Sequence, residues 1–244
     1  MPQPNVPKVL VFVPLFPDPP YIYDQTLDSI LRQGWPGFHL ALGHEPGQIA
    51  TREDKYLNVT KKYNQAREMC LQGEYDYLWT VEADMIVPPD ALSLLWQSLA
   101  GCGADVAYGL YASRHKDHFL CFATRLGEIS IQFAHKSPQF LQENWGKVMP
   151  SAGLGLGCTL IRRRVLEEIS FRYEGDLRAC DWLFALDCAD HGFHQVHHLG
   201  VICGHISMTP STRIIWPQKP DDTGRWYGVE YLDIGGGDGI RDDR

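Results

Sequence analysis

The chain alternates between two hydrophobic periods over its first 113 residues. Lys8 to Val13 (KVLVFV) is an apolar run of strand length, the pattern of a strand buried on both faces. Tyr23 to Gln33 then repeats at helical spacing, with Leu27, Ile30 and Leu31 on one face, until QGWPG ends it. Phe38 to Leu42 predicts a second strand and HEPGQ a loop. Glu53 to Gln72 predicts a longer helix with Gly73 as its stop. Asp76 to Val81 predicts a third strand. Pro89 to Leu99 predicts a helix with proline at its start and Gly101 past its end, and Ala104 to Leu110 a fourth strand. Strands that alternate with helices of this length form βαβ units and a mostly parallel sheet.

After Ser113 the pattern becomes mixed α+β. Phe119 to Thr124 and Glu128 to Ala134 alternate on either side of a short turn, as in a hairpin. Gly155 to Ile161 predicts a strand, Arg163 to Ile169 a short helix, and Asp181 to His191 an apolar helix closed by Gly192. Gln195 to His198 and Val201 to Cys203 predict two more strands. No linker-like stretch divides the halves, so residues 1–210 read as one domain of two lobes, 1–113 and 114–210. Residues 211–244, rich in Pro, Gly and Asp, read as a tail or a lid. As a lid, its Trp216, Trp226 and Tyr227 offer aromatic faces for stacking.

Composition narrows the function classes. The 244 residues carry a net charge of −8, which lacks the basic footprint of a sequence-independent nucleic-acid binder. The longest early apolar run, residues 9–16, is too short to span a bilayer and is not framed as a signal peptide. Seven widely spaced cysteines without a CxxC pair predict reduced thiols and a cytoplasmic location. Four histidines in HGFHQVHH lie near several cysteines but show no standard zinc-finger spacing.

One stretch calls for chemistry. In DYLWTVEADMIVPPDALSLL, residues 76–95, a buried-type strand ends at Glu82 and Asp84, one residue apart. Ligands of an open parallel sheet sit at the carboxyl ends of its strands. Paired carboxylates there suit a hard divalent ion, which takes one or two protein carboxylates plus substrate phosphates. The alternative is capping of the next helix, a duty Asp90 already stands in place to perform.

The ordered set of motifs resembles the GT-A fold glycosyltransferases of the family-2 type. YDYLWTVEADMIVPPDALSLL is similar to their strand and Asp-x-Asp-type step, here with Glu in first position. KVLVFVPLF and YDQTLDSILRQ resemble the opening strand and helix, NQARE the Asn–Arg helix, and ADVAYGLYASR the strand after the acids. AGLGLGCTLIRRRVLEEI resembles the glycine-bearing acceptor segment. CDWLFALDCADHGFHQVHHLGVICGHI resembles the Glu-Asp helix and closing Gly-His, with Cys180 where the family has Glu. The likeness runs from about residue 8 to residue 206.

The resemblance implies a single GT-A-like α/β domain: a mostly parallel, Rossmann-like sheet flanked by helices, with a nucleotide-sugar half and a mixed α+β acceptor half. It implies Mn²⁺ or Mg²⁺ held by Asp84, with Glu82 on the donor ribose or the ion's water shell and His205 as third ligand. Asp181 would be the general base of an inverting transfer from a nucleoside-diphosphate sugar to an acceptor hydroxyl. Pro14, Glu45, Asn64, Arg67 and Arg114 would lie on the donor, and Gly155, Gly157 and Trp182 on the acceptor. The acceptor class stays open among small molecules, glycans, proteins and modified nucleic acid. Two rivals also stay open. A nucleotidyltransferase shares the sheet and metal logic but opens on a glycine-rich basic loop, where this chain has PLFPDPP. A sugar-binding module needs the fold without metal and base.

Overall fold

The computed structural model describes residues 6–15, 22–44, 49–113, 120–121, 123–126, 130–133, 138–153, 155–175, 180–207, 213–219 and 229–233. The first half contains β1 (Val9–Pro14), α1 (Asp24–Leu31), β2 (Phe38–Gly43), α2 (Arg52–Gln72), β3 (Tyr77–Val81), β4 (Met85–Ile86), α3 (Ala91–Cys102) and β5 (Val106–Leu110). There follow β6 (Ala123–Leu126), β7 (Ser130–Phe133), α4 (Pro138–Asn144), β8 (Val148–Pro150), β9 (Cys158–Arg162), α5 (Arg163–Glu168) and α6 (Cys180–Asp190). The chain closes with β10 (Gln195–Ile202), β11 (Gly204–Ser207), β12 (Arg213–Pro217) and β13 (Val229–Asp233).

Seven strands form the central sheet in the order β2-β1-β3-β9-β5-β10-β8. β1 pairs in parallel with β2 and β3, and β5 with β10; β9 is antiparallel to both β3 and β5, and β8 to β10. Five strands therefore run one way and two the other, which gives the mostly parallel α/β sheet that the periodicity predicted. The buried strands carry the apolar runs: β1, β3, β5 and β9 are enclosed almost throughout. Two apolar clusters cover the sheet's faces, one around Trp79, Leu92 and Leu95 and the other around Phe12, Tyr63 and Phe184. β9 enters between β3 and β5 from far along the chain. Arg162 fixes its end by donating to the carbonyls of Ala104 at 2.7 Å and Leu99 at 3.0 Å.

Local chemistry explains most element ends. α2 opens on a capping box in which Thr51 and Asp54 each accept from the other's backbone N–H. α3 runs through Gly101 and stops at Gly103, which adopts the left-handed conformation with φ +62°. The helix thus stops two residues later than predicted, because Gly103, not Gly101, takes the φ that a helix C-terminus favours. Asp90 occupies the N-cap position of α3 but makes no side-chain cap bond. Gln33, two residues past α1, supplies that bond instead, accepting from Leu92 N at 3.0 Å. Leu31, read as part of the buried face of α1, is 57% exposed; buried Thr26, Ser29 and Gln33 form the docking face with Ile30.

The last strands differ from the sequence reading. Val201 to Cys203 is no separate strand: β10 continues through to Ile202 across a register shift between His198 and Ile202. The chain then leaves the main sheet, and β11 joins a second sheet of order β13-β12-β11-β4. The expected tail contributes two of its strands. β6 and β7 pair antiparallel as the predicted hairpin.

Candidate functional site

The acidic turn is held from three sides. Glu82 N donates to the Gly157 carbonyl at 3.1 Å, and Met85 N to the Glu82 carbonyl at 3.0 Å. From α1, Tyr23 N and Thr26 Oγ1 both donate to the Ala83 carbonyl, at 3.2 and 3.0 Å. β11 lies antiparallel against β4 with His205 opposite Met85, and Ile206 N donates to the Asp84 carbonyl at 2.8 Å. The fold has to bring residue 205 beside residue 84 to complete this small sheet.

Glu82, Asp84 and His205 converge, with one donor atom of each within 4.8 Å of the others. Asp84 and His205 are buried, 3% and 5% exposed. His205 Nδ1 lies 2.7 Å from the Ala112 carbonyl, which only accepts, so Nδ1 carries the hydrogen. In the neutral ring Nε2 then presents a lone pair. Among the described residues it makes no hydrogen bond, and it stands 3.5 Å from Asp84 Oδ2. A lone pair facing a buried carboxylate is unfavourable unless a proton or a cation lies between them. Burial is the strongest single influence on the imidazole and lowers its pKa. The charge and contact of Asp84, the Ala112 carbonyl and Glu82 together outweigh it and raise the pKa above the ordinary histidine value. The site as built favours positive charge, and its two carboxylates and one oriented imidazole fit a divalent ion that accepts oxygen and nitrogen donors.

Asp181 stands in the first turn of α6, where its carboxylate accepts from Trp182 N at 2.8 Å. Burial raises its pKa above the usual carboxylate range, and the backbone N–H groups of Trp182 and Asp181 only partly oppose this. The charges of Asp181 and Glu82 both bear on Tyr63, Tyr111 and Cys121, so the two carboxylates stand within electrostatic reach of the same groups. Tyr63 is buried and its hydroxyl has no hydrogen-bond partner among the described residues. Burial first, and Glu82 next, push its phenol well above the ordinary value, so it stays protonated.

The other expected site residues divide. Pro14 ends β1 at the carboxyl edge of the sheet and is partly exposed. Glu45 and Arg114 lie outside the described residues. Asn64 and Arg67, expected on the donor, join α2 to α5 and the segment after it. Asn64 donates to the Phe171 carbonyl at 2.7 Å and accepts from Phe171 N at 3.0 Å. Arg67 Nε donates to the carbonyls of Leu166 and Ile169 at 2.7 and 2.9 Å. At Gly155 and Gly157 the room a side chain would need is taken by the Tyr111 ring, and Gly157 N donates to the Tyr111 hydroxyl at 3.1 Å. Gly155 also has φ +79°, which favours glycine independently. Trp182 packs partly buried on Ala152 and Ala185. Tyr111 in turn sets its ring edge-on to His205, centroids 5.7 Å apart.

Sequence reasoning missed Tyr63, Tyr111 and Lys62. Lys62 is buried and donates to the Leu15 carbonyl at 2.6 Å, at the carboxyl end of β1. Nothing in TKKYNQ distinguishes Lys62 from its neighbour Lys61; only the helical phase relative to β1 does. Of the histidine cluster, His197 is enclosed, bonding Ser151 Oγ at 2.7 Å and the Cys121 carbonyl at 3.0 Å. Among the described residues no helix is long and apolar enough to cross a membrane.

Comparison with known proteins agrees with this architecture. Residues 7–228 match the family model described as glycosyltransferase like family 2. No curated protein matches the sequence. Among solved structures the chain is similar to A197 from STIV, with TM-score 0.57 and 17% identity over 97% of this chain and 100% of that one. It is also similar to residues 1–349 of TarS from S. aureus, with TM-score 0.50 and 18% identity over 78% of this chain and 57% of that one. At such identities the likeness is one of fold. The family model, covering all but the two ends of the sequence, shows that the chain belongs to the glycosyltransferase family 2-like group and has its GT-A fold.

Proposed function

We propose that this chain transfers a sugar from a nucleoside-diphosphate donor to an acceptor hydroxyl, with a divalent ion held by Asp84, Glu82 and His205. The observation that carries the reading is the convergence of two carboxylates with an imidazole whose free nitrogen faces them, at the carboxyl ends of the sheet strands. When bound there, Mn²⁺ or Mg²⁺ supplies positive charge to the diphosphate as it departs. Asp84 is the direct ligand, since its backbone is pinned by β11 and its carboxylate faces His205. Glu82, less buried than Asp84, serves the donor ribose or the ion's water shell. His205 is held to one tautomer by Ala112 and so enters as a neutral nitrogen donor, which suits Mn²⁺ better than Mg²⁺.

Asp181 is the general base. It accepts the acceptor hydroxyl's proton as that oxygen attacks the anomeric carbon, and its raised pKa improves it for the task. A base on the face opposite the leaving group inverts the anomeric centre. The sugar passes through an oxocarbenium-like state, as in glycoside hydrolysis. Lys62 and Pro14, at the carboxyl end of β1, border the donor's side of the site. Family membership favours this reading over a nucleotidyltransferase.

The test is incubation with uridine- and guanosine-diphosphate sugars with and without Mn²⁺. Ion-dependent donor hydrolysis, and a rise in melting temperature when nucleoside diphosphate and Mn²⁺ are added together, are expected. Turnover of nucleoside triphosphates in their place, or sugar binding untouched by Asp84→Ala, overturns the proposal.

A further inference from the structure

The strand that carries His205 is flanked on one side by β4 and on the other by β12, from the segment the sequence left as a tail. β11 and β12 pair with His205 opposite Ile215, Ile206 opposite Ile214 and Ser207 opposite Arg213. One further step of that register sets Trp216 across from Gly204. Side chains alternate along strands, so His205 and Ile215 share one face while Gly204, Ile214 and Trp216 share the other. A Cβ placed on Gly204 would meet Trp216 Cε2 and Cζ2 at 2.7 Å and Ile214 Cγ2 at 2.7 Å. The indole therefore sits directly on the Gly204 backbone. Gly204 has an ordinary φ, so what the position requires is room for that ring, not a left-handed backbone.

This places a clamp one residue before His205. Gly204 also pairs with Ile86 of β4, two residues beyond Asp84. The height of β11 between the acidic turn and β12 is thus set where the ring meets the glycine, and cross-strand aromatic–glycine packing is a known way to fix register. We propose that Trp216 is a positioning residue for the ion site: by seating its ring on Gly204 it holds His205 against Asp84 from the face opposite the imidazole. The proposal rests on the divalent-ion reading given above and goes beyond it by making residues 213–217 part of the site's support.

The experiment is titration calorimetry of Mn²⁺ into the full chain, for the unsubstituted protein, Trp216→Phe, Trp216→Ala, Gly204→Ala and the double variant Gly204→Ala/Trp216→Ala, with melting temperature recorded without ion. Outer-shell partners of metal ligands are worth about 10–100-fold in affinity. Trp216→Ala is expected to weaken Mn²⁺ at the lower end of that range, with Trp216→Phe staying close to the unsubstituted chain. Gly204→Ala weakens it too, and the double variant binds no more weakly than Trp216→Ala alone, because the methyl then occupies the space the ring has left. Mn²⁺ affinity unchanged in Trp216→Ala, or single effects that multiply in the double variant, overturns the clamp. Should Gly204→Ala not fold, the Trp216→Ala and Trp216→Phe pair decides by the same criterion. An unsubstituted chain that takes up no Mn²⁺ overturns the ion reading itself, and the clamp with it.

Discussion

Two groups of polar side chains lie on the same domain and are treated in opposite ways. Behind the sheet, Asn64, Arg67, Arg162 and Arg163 direct their donors at named backbone carbonyls, joining helix ends and strand ends that are far apart in sequence. At the carboxyl ends of the strands, His205 Nε2 and the Tyr63 hydroxyl are buried with no hydrogen bond among the described residues, and Asp181 is held at a raised pKa. A buried polar atom left unmatched costs about 1–3 kcal/mol. The scaffold carries such an atom too, at Trp79 Nε1, but at the strand ends the unmatched atoms lie under the charge of nearby carboxylates.

Asp181→Asn is the strongest way to break the contrast. Transfer should fall about 10²–10⁴-fold, the range for loss of a general base. The folded protein should nevertheless become more stable near neutral pH. Folding raises this carboxyl's pKa, so the stability it carries is full below the unfolded value and is lost as pH rises through the folded one. Asparagine removes that loss. Activity assays and thermal melts on the same preparation check both halves, and a variant both inactive and less stable would make Asp181 a scaffold residue.

Next is Asp84→Ala, for which turnover should drop about 10²–10³-fold and Mn²⁺-dependent thermal stabilisation should vanish. A melt with and without Mn²⁺ measures it; an ion response of full size would show that Asp84 is no ligand. The mirror experiment lies in the scaffold. Asn64→Ala strips the Phe171 backbone N–H and carbonyl of their side-chain partner and should cost about 1–3 kcal/mol in denaturant unfolding, while Mn²⁺ and donor affinities stay put. A selective loss of donor binding at unchanged stability would return Asn64 to the donor.

The smallest effect concerns His197, enclosed and stacked on Tyr108 at 4.9 Å. Burial lowers its pKa to about 3. The unfolded chain takes up this proton at its ordinary value near 6.5 and the folded one does not, so stability falls as the solution is acidified. Between those values the residue should remove up to about 1.4 kcal/mol per pH unit. Melts from pH 7.5 to 5 should show a slope that His197→Gln reduces.

Much of the first half was legible because its signals are local. β1, α2, β3 and β5 follow from apolar runs, helical spacing and a glycine stop, each set by neighbours in the chain. The acids at 82 and 84 were legible too, since a buried strand that ends in paired carboxylates needs no partner to be noticed. α1 was read with the wrong emphasis: its docking face is Thr26, Ser29 and Gln33, whose hydroxyls and amide staple the 83–92 turn, and polar residues at core positions are invisible to hydrophobic patterning.

The sequence by itself determined the element types of the first half, the acidic strand end and the order of motifs that marks the family. Tertiary structure alone decided that β9 inserts antiparallel between β3 and β5, and that Asn64 and Arg67 bond backbone groups of residues 166–171. It also decided that the chain after Met208 returns as strands beside His205. The first two join segments about fifty to more than a hundred residues apart, whereas β12 follows β11 closely and was hidden by the Pro, Gly and Asp content of its segment. A strand looks the same in sequence whichever neighbour it finds, and a polar side chain looks the same whether it meets a carbonyl or a carboxylate. Only the packed chain, which must close every strand edge and match every buried donor it can, distinguishes them.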